Sequence, residues 1–366
     1  MKIATVEAIP LSIPFSHGGQ PAGWGGRAWL NLDMVLVRVQ TEDGIVGWGE
    51  AFSYNCRQAV QAAVDHMLAP IVVGQDARNI AQRMIQLQRE LHLFGRYGIT
   101  IFALSGLDIA LWDIAAKSAG LPLHRLLGGA HRERIPGYAS LFKYRDPEIV
   151  AERCRAALDE GYGVIKLHET EEAEVRAARA AIGPEVPLTV DTNCPWTPQQ
   201  AREAARRLKP YDLYWLEEPI FPPEDFASLA CLQQESGIAL AAGENACTAF
   251  QFQSMFAARA VTFAQPSVTK VGGITEFLKV AALAETHGVA LMPHSPYFGP
   301  GWLATLHLLA ALPHAGLAER LYVTPEASLY GDLIDPQEGQ LRVPDGPGLG
   351  PEPNPEALKS FAVATV

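Results

Sequence analysis

Pro187-Leu188-Thr189-Val190-Asp191, Tyr214-Trp215-Leu216-Glu217 and Leu240-Ala241-Ala242-Gly243-Glu244 decide how this chain folds. Each is a short apolar run ending in a carboxylate, and the three acids stand 26 and 27 residues apart. One strand, loop, helix and loop of a parallel barrel takes about that length of chain, so each acid is expected at the top of a successive strand. Three negative charges converging on one point repel unless a hard cation sits among them. Oxygen-only ligation of this kind suits Mg²⁺, with Mn²⁺ as the alternative. A single Asp or Glu at a strand end serves equally as a helix cap or a surface charge. The matched spacing, with turn chemistry at Glu217-Glu218-Pro219 and Gly243-Glu244-Asn245, favours a shared metal site.

The rest of the chain has room for the barrel and for more. At 366 residues it exceeds the roughly 250 of a barrel, and two domains are expected. From residue 135 onward, apolar runs at 135–139, 164–167, 188–190, 213–216, 239–242, 261–264, 289–292 and, less regularly, 317–322 alternate with helical periods such as 171–182, 198–209 and 273–287. The fold class is therefore α/β, a (β/α) TIM-type barrel imperfect at its last unit, with a further domain of strands and helices. Residues 1–50 alternate like an antiparallel meander, and 102–117 reads as a buried helix. The Pro- and Gly-rich stretch at 344–350 suggests turns that return to the cap. These readings place the cap at 1–125, the barrel at 126–330 and a returning tail at 331–366.

Composition narrows the partners. A formal charge of −11 disfavours nucleic acid and anionic membranes, and no apolar run is read as a membrane span. Five cysteines without a Cys-x-x-Cys pair argue against a disulfide framework, and a reducing cytoplasm fits them.

On the strand before Asp191, Lys166 and His168 are two residues apart and share a face, which directs both into the barrel mouth. An imidazole, with a lysine that desolvation can pull toward neutrality, makes an acid–base station. His294, on the seventh strand, is expected across the mouth from them. Asn193 follows Asp191 by two residues on the same face.

These residues together resemble the enolase superfamily, specifically its mandelate racemase group. The likeness runs through Glu42-Asp43-Gly44-Ile45-Val46-Gly47-Trp48-Gly49-Glu50, Leu107-Asp108 with Leu111-Trp112-Asp113, Leu126-Leu127-Gly128-Gly129, the Lys-x-His, the three acids and Lys270-Val271-Gly272-Gly273-Ile274. The resemblance implies an α+β capping domain over the barrel, with Asp191, Glu217 and Glu244 as Mg²⁺ ligands. It also implies abstraction of the proton α to a carboxylate through an enolate intermediate. It further implies a small carboxylate substrate contacted by Lys166, Asn193, Lys270 and Glu319, the last as an acid that hydrogen-bonds the substrate carboxylate. A homo-oligomer is expected.

The departure from the family pattern is Ser267, where an Asp or a Lys is usual. Without a carboxylate partner His294 is a weaker base. That favours dehydration of a sugar acid or related hydroxy acid, with His168 as base and His294 as acid, over a symmetric racemase. The alternatives are a racemase, epimerase or cycloisomerase, and a silent metal-binding paralogue. Specificity is expected from a glycine-rich lid at 17–27 that carries Trp24 and Arg27, with Phe52 and Tyr54 on a second cap loop.

Overall fold

The computed structural model describes residues 1–23 and 28–363, so the expected lid residues Trp24 and Arg27 lie outside the described residues. Strands β1 (Ile3–Ser16), β2 (Asn31–Thr41) and β3 (Val46–Ala51) form the expected antiparallel meander, with Val6 opposite Val39 and Val37 opposite Gly49. Gly44, at φ +85°, makes the turn between β2 and β3. The sheet buries Val35, Val37 and Val39 against helix Ile99–Ala119.

That helix lies on β3 at a distance only glycines permit. A Cβ at Gly49 would stand 1.9 Å from the Gly106 carbonyl oxygen, and one at Gly47 would stand 2.2 Å from that of Ala110. The helix is longer than its sequence period suggested. At 21 residues it has the length and hydropathy to cross a membrane, but 78% of its apolar window is buried within the protein.

Eight parallel strands among the described residues form the barrel: β4 (Arg134–Ser140), β5 (Ile165–Leu167), β6 (Leu188–Asp191), β7 (Leu213–Glu217), β8 (Leu240–Ala242), β9 (Phe263–Ala264), β10 (Ala290–Leu291) and β11 (Ala318–Leu321). They follow one another around the sheet, and β11 pairs with β4. The ring closes through Gly316, whose N–H donates to the Leu291 carbonyl at 2.8 Å. Tyr138, Trp215, Ala241, Phe263 and Met292 cluster together as a small core of their own.

After β11 the chain crosses back to the cap. Strand β12 (Thr324–Pro325) pairs with β1, β13 (Gln340–Arg342) pairs with β4, and Ala362 bridges to Leu11 after helix Pro355–Phe361.

Buried acids fasten cap to barrel. Glu50 accepts from the Gly301 N–H at 2.9 Å in the first turn of helix Pro300–Ala311. Asp108 accepts from the Thr275 N–H at 2.8 Å in the first turn of helix Gly273–His287. Carboxylates at helix N-termini satisfy otherwise unpartnered N–H groups and complement the helix dipole. Asp113 joins the Trp48 N–H, the Leu349 N–H and the Lys117 ammonium at 2.8–2.9 Å. Burial pushes both Glu50 and Asp108 up to about 7.

Candidate active site

The barrel brings the three acids together: Asp191, Glu217 and Glu244 each offer an oxygen within 4.8 Å of the others. Asp191 and Glu217 end β6 and β7 as read. Glu244 does not end its strand, because β8 stops at Ala242. Gly243, at φ +139°, turns the chain, and a Cβ there would meet Phe252 at 2.8 Å and the Gln265 backbone nitrogen at 3.0 Å.

Lys166 is fully buried in β5 and reaches the same cluster. Its Nζ stands 2.9 Å from Asp191 Oδ2, 2.6 Å from Glu217 Oε1 and 2.9 Å from Glu319 Oε1. Burial pulls the ammonium down, but the three carboxylates outweigh it and hold Lys166 well above the ordinary lysine range. The expectation that desolvation would bring Lys166 toward neutrality is thereby corrected: sequence could not show that Glu319, on β11, adds a third carboxylate. Burial raises Glu319, yet Lys166 and then His294 draw it below the usual range. It accepts from Ser140 Oγ at 2.8 Å and the Ser295 N–H at 3.2 Å.

The two histidines stand at different edges of the acid cluster. His168 Nδ1 lies 2.6 Å from the Leu141 carbonyl, which can only accept. His168 therefore donates from Nδ1, and its Nε2 stands 3.4 Å from Asp191 Oδ2. His294 Nε2 lies 2.9 Å from Glu244 Oε2, and its Nδ1 lies 3.1 Å from Tyr297 Oη.

A cavity of about 380 Å³ opens above these groups. His168, Asn193, Glu244, Lys270, His294 and Glu319 line its barrel side. Trp29, Phe52, Tyr54 and Phe102 line its cap side, with Asp33 and Ser53 between them. Asn193 donates its backbone N–H to Asp191 Oδ1 at 2.9 Å. Lys270 donates to Asn245 Oδ1 at 3.1 Å and lies 4.6 Å over the Phe52 ring. Arg57, on the cap, is ion-paired to Asp33.

Sequence reading missed four polar neighbours. Ser140 and Tyr297 carry no recognisable motif, and Asn245 was read only as turn chemistry after Glu244. Glu218 had a visible signal, the Glu-Glu pair, but was read only as turn chemistry. Burial, with Glu244 and Asp191 beside it, pushes Glu218 up to about 8.

The donor set fits a divalent cation. Asp191 Oδ2 is buried and accepts no aligned hydrogen bond, although Lys166 Nζ is 2.9 Å away. Burial first and the charge of Asp191 next hold Glu217 well above the usual carboxylate range, a repulsion that a doubly charged ion at hard oxygens would relieve.

Fold and site together define a capped (β/α) barrel with a carboxylate cluster at its mouth. The chain belongs to the enolase superfamily: residues 149–357 match the enolase C-terminal domain-like family, and residues 28–128 match the mandelate racemase / muconate lactonizing enzyme N-terminal domain. It is 32% identical over 336 residues to an arabinonate dehydratase of Saccharolobus solfataricus, covering 89% of each chain. It is 34% identical over 351 residues to a 3,6-anhydro-alpha-L-galactonate cycloisomerase of Streptomyces coelicolor, covering 92% of this chain and 93% of that one. A racemase from Streptomyces coelicolor, solved with bound magnesium, superposes with a TM-score of 0.88 at 32% identity, covering 99% of this chain and 100% of that one.

Proposed function

We propose that this protein is a Mg²⁺-dependent dehydratase of a sugar acid, with Asp191, Glu217 and Glu244 holding the ion. The observation that carries the reading is the asymmetry of the two imidazoles about the acid cluster. His168 Nε2 stands beside Asp191 on one side, and His294 Nε2 meets Glu244 on the other. When bound, Mg²⁺ supplies positive charge to the substrate carboxylate and favours the enolate formed on loss of its α-proton.

The protein's own groups do the rest. His168 Nε2 takes the α-proton. Lys166 stays an ammonium and contributes fixed positive charge beneath the site. Glu319 holds Lys166 in place, and Asn193 and Lys270 meet the polar substrate from the barrel side of the cavity. The β-hydroxyl departs as water, taking its proton from His294, and the enol product tautomerises to a 2-oxo-3-deoxy acid. The apolar cap wall excludes water, which strengthens each of these electrostatic contacts.

A cycloisomerase is the second reading, favoured by the likeness to the Streptomyces coelicolor enzyme. A panel of sugar acids and their lactones, incubated with the Mg²⁺-loaded protein and followed by mass spectrometry, separates the two. Dehydration yields a product lighter by one water. A product of unchanged mass supports the second reading, and no turnover together with no α-proton exchange in D₂O on any member rejects both.

A further inference from the structure

The end of the barrel away from the acid cluster holds a second polar cavity, of about 560 Å³. Arg125, Arg132, Arg134 and Arg342 line it, with Glu133 and Asp345 among them. Arg134 begins β4 and lies directly opposite Arg342 of β13 in the antiparallel register. Side chains facing each other across such a pair stand about 4.5–5.5 Å apart at Cβ, and like charges there repel. The chain carries a formal charge of −11, so acids are plentiful. Even so, the side chains of Arg125, Arg134 and Arg342 make no ion pair or hydrogen bond among the described residues. Arg132 is held differently. Its Nη1 donates to the Gly316 carbonyl and its Nη2 to the Leu309 carbonyl, both at 3.1 Å, and Nη2 also donates to that of Ala315. These carbonyls lie in the last turn of helix Pro300–Ala311 and just beyond it, where a cation is favoured. One guanidinium is therefore fixed as a wall, and three stand free to close on a ligand.

We propose that this cavity binds a phosphate group, free or as the ester of a small metabolite, gripped by Arg134 and Arg342 with Arg125 beside them. Four guanidinium groups against two carboxylates leave an excess charge of +2, which matches the charge of about −1.5 to −2 on a phosphate group near pH 7. The planar fork of arginine meets two phosphate oxygens at once, and charge-assisted pairs of this kind are the strong ones. A phosphate between Arg134 and Arg342 also removes the repulsion that their register imposes. Strand β4 runs from Arg134 at this cavity to Ser140 at the catalytic one, a span of roughly 20 Å at ~3.3 Å per residue. The two sites therefore fill independently, and the inference stands apart from the proposed sugar-acid chemistry.

The experiment is titration calorimetry of the full chain in the presence of Mg²⁺, at fixed ionic strength, with inorganic phosphate and separately with glycerol 3-phosphate. One anion per chain should bind saturably, and the tighter of the two probes identifies the source as free phosphate or an ester. Arg134→Gln and Arg342→Gln should each weaken binding roughly tenfold or more. Arg134→Lys should recover only part of that loss, because an ammonium lacks the bidentate fork. Two controls should bind as wild type does: Lys270→Ala, which removes a cation of the catalytic cavity, and Arg202→Gln, on helix Pro198–Leu208 outside this cavity. No saturable binding of either probe, binding lost in Lys270→Ala, or binding weakened as much by Arg202→Gln as by the cavity variants would overturn the proposal. Arg134 and Arg342 are both exposed, so their variants should keep the fold. If Arg134→Gln does not fold, Arg342→Gln and Arg125→Gln decide.

Discussion

Lys166→Met removes the ammonium while keeping an unbranched stem of similar length, and its cost can be worked from the contacts. At an effective dielectric of about 20, unit charges near 2.8 Å attract by roughly 6 kcal/mol per pair. Lys166 makes three such contacts at 2.6–2.9 Å. Most of that attraction offsets the desolvation of the buried charges, and with Glu217 held well above the usual carboxylate range the pairs that count are those with Asp191 and Glu319; removing one partner from such a network costs a net ~3–5 kcal/mol. The sign with pH follows from the partners. Asp191 and Glu319 are held below the usual carboxylate range, with Lys166 the leading opponent of burial in each. Their contribution is present above the ordinary carboxylate range and is lost as pH falls through the depressed values. The deficit of the variant is therefore full near neutral pH and shrinks in acid. Urea unfolding at about pH 7.5 in the presence of a chelator should show the variant ~3–5 kcal/mol less stable than wild type. Saturating Mg²⁺ should recover part of that loss, because an ion bound to the native state alone stabilises it. A variant within about 1 kcal/mol of wild type under chelation would refute the reasoning.

Three further outcomes follow. His168→Ala should abolish both α-proton exchange and dehydration, losing on the order of 10²–10⁴ in rate, whereas His294→Ala should lose dehydration and still exchange the α-proton with D₂O; the reverse pattern, read by NMR of the substrate, exchanges their roles. Glu50, raised by burial from 4.5 to about 7, binds its proton more tightly folded than unfolded, so its contribution falls as pH climbs from about 4.5 to 7 by roughly 3 kcal/mol; denaturant titrations of Glu50→Gln should lack that part of the fall. Gly49→Ala would place a Cβ 1.9 Å from the Gly106 oxygen, and calorimetry should find it destabilised by about 1–3 kcal/mol or more.

Much of the barrel was legible because local chemistry and fold agree there. The run at 188–190 is β6 less its terminal Asp191, and the period at 273–287 is the helix Gly273–His287. What escaped depends on contacts between residues far apart in the chain. Glu244 was placed at a strand end because a run of small residues does not disclose that Gly243 leaves the strand at φ +139°. Lys166 was expected near neutrality because Glu319 lies 153 positions further on. Ser267 was read as a partner lost, whereas Tyr297 stands between it and His294. The motifs around Glu50 and Asp108 pointed to a family without disclosing their work, which is to dock helix N-termini of the barrel onto the cap.

Titration calorimetry with Mg²⁺ tests the central claim most directly, comparing wild type with Asp191→Asn, Glu217→Gln and Glu244→Gln. Wild type should bind one ion per chain, and each variant should bind at least about tenfold more weakly, a loss of roughly 1.4 kcal/mol or more. Mg²⁺ binding of unchanged affinity and stoichiometry in Glu217→Gln, whose carboxylate lies at the buried centre of the cluster, would contradict it.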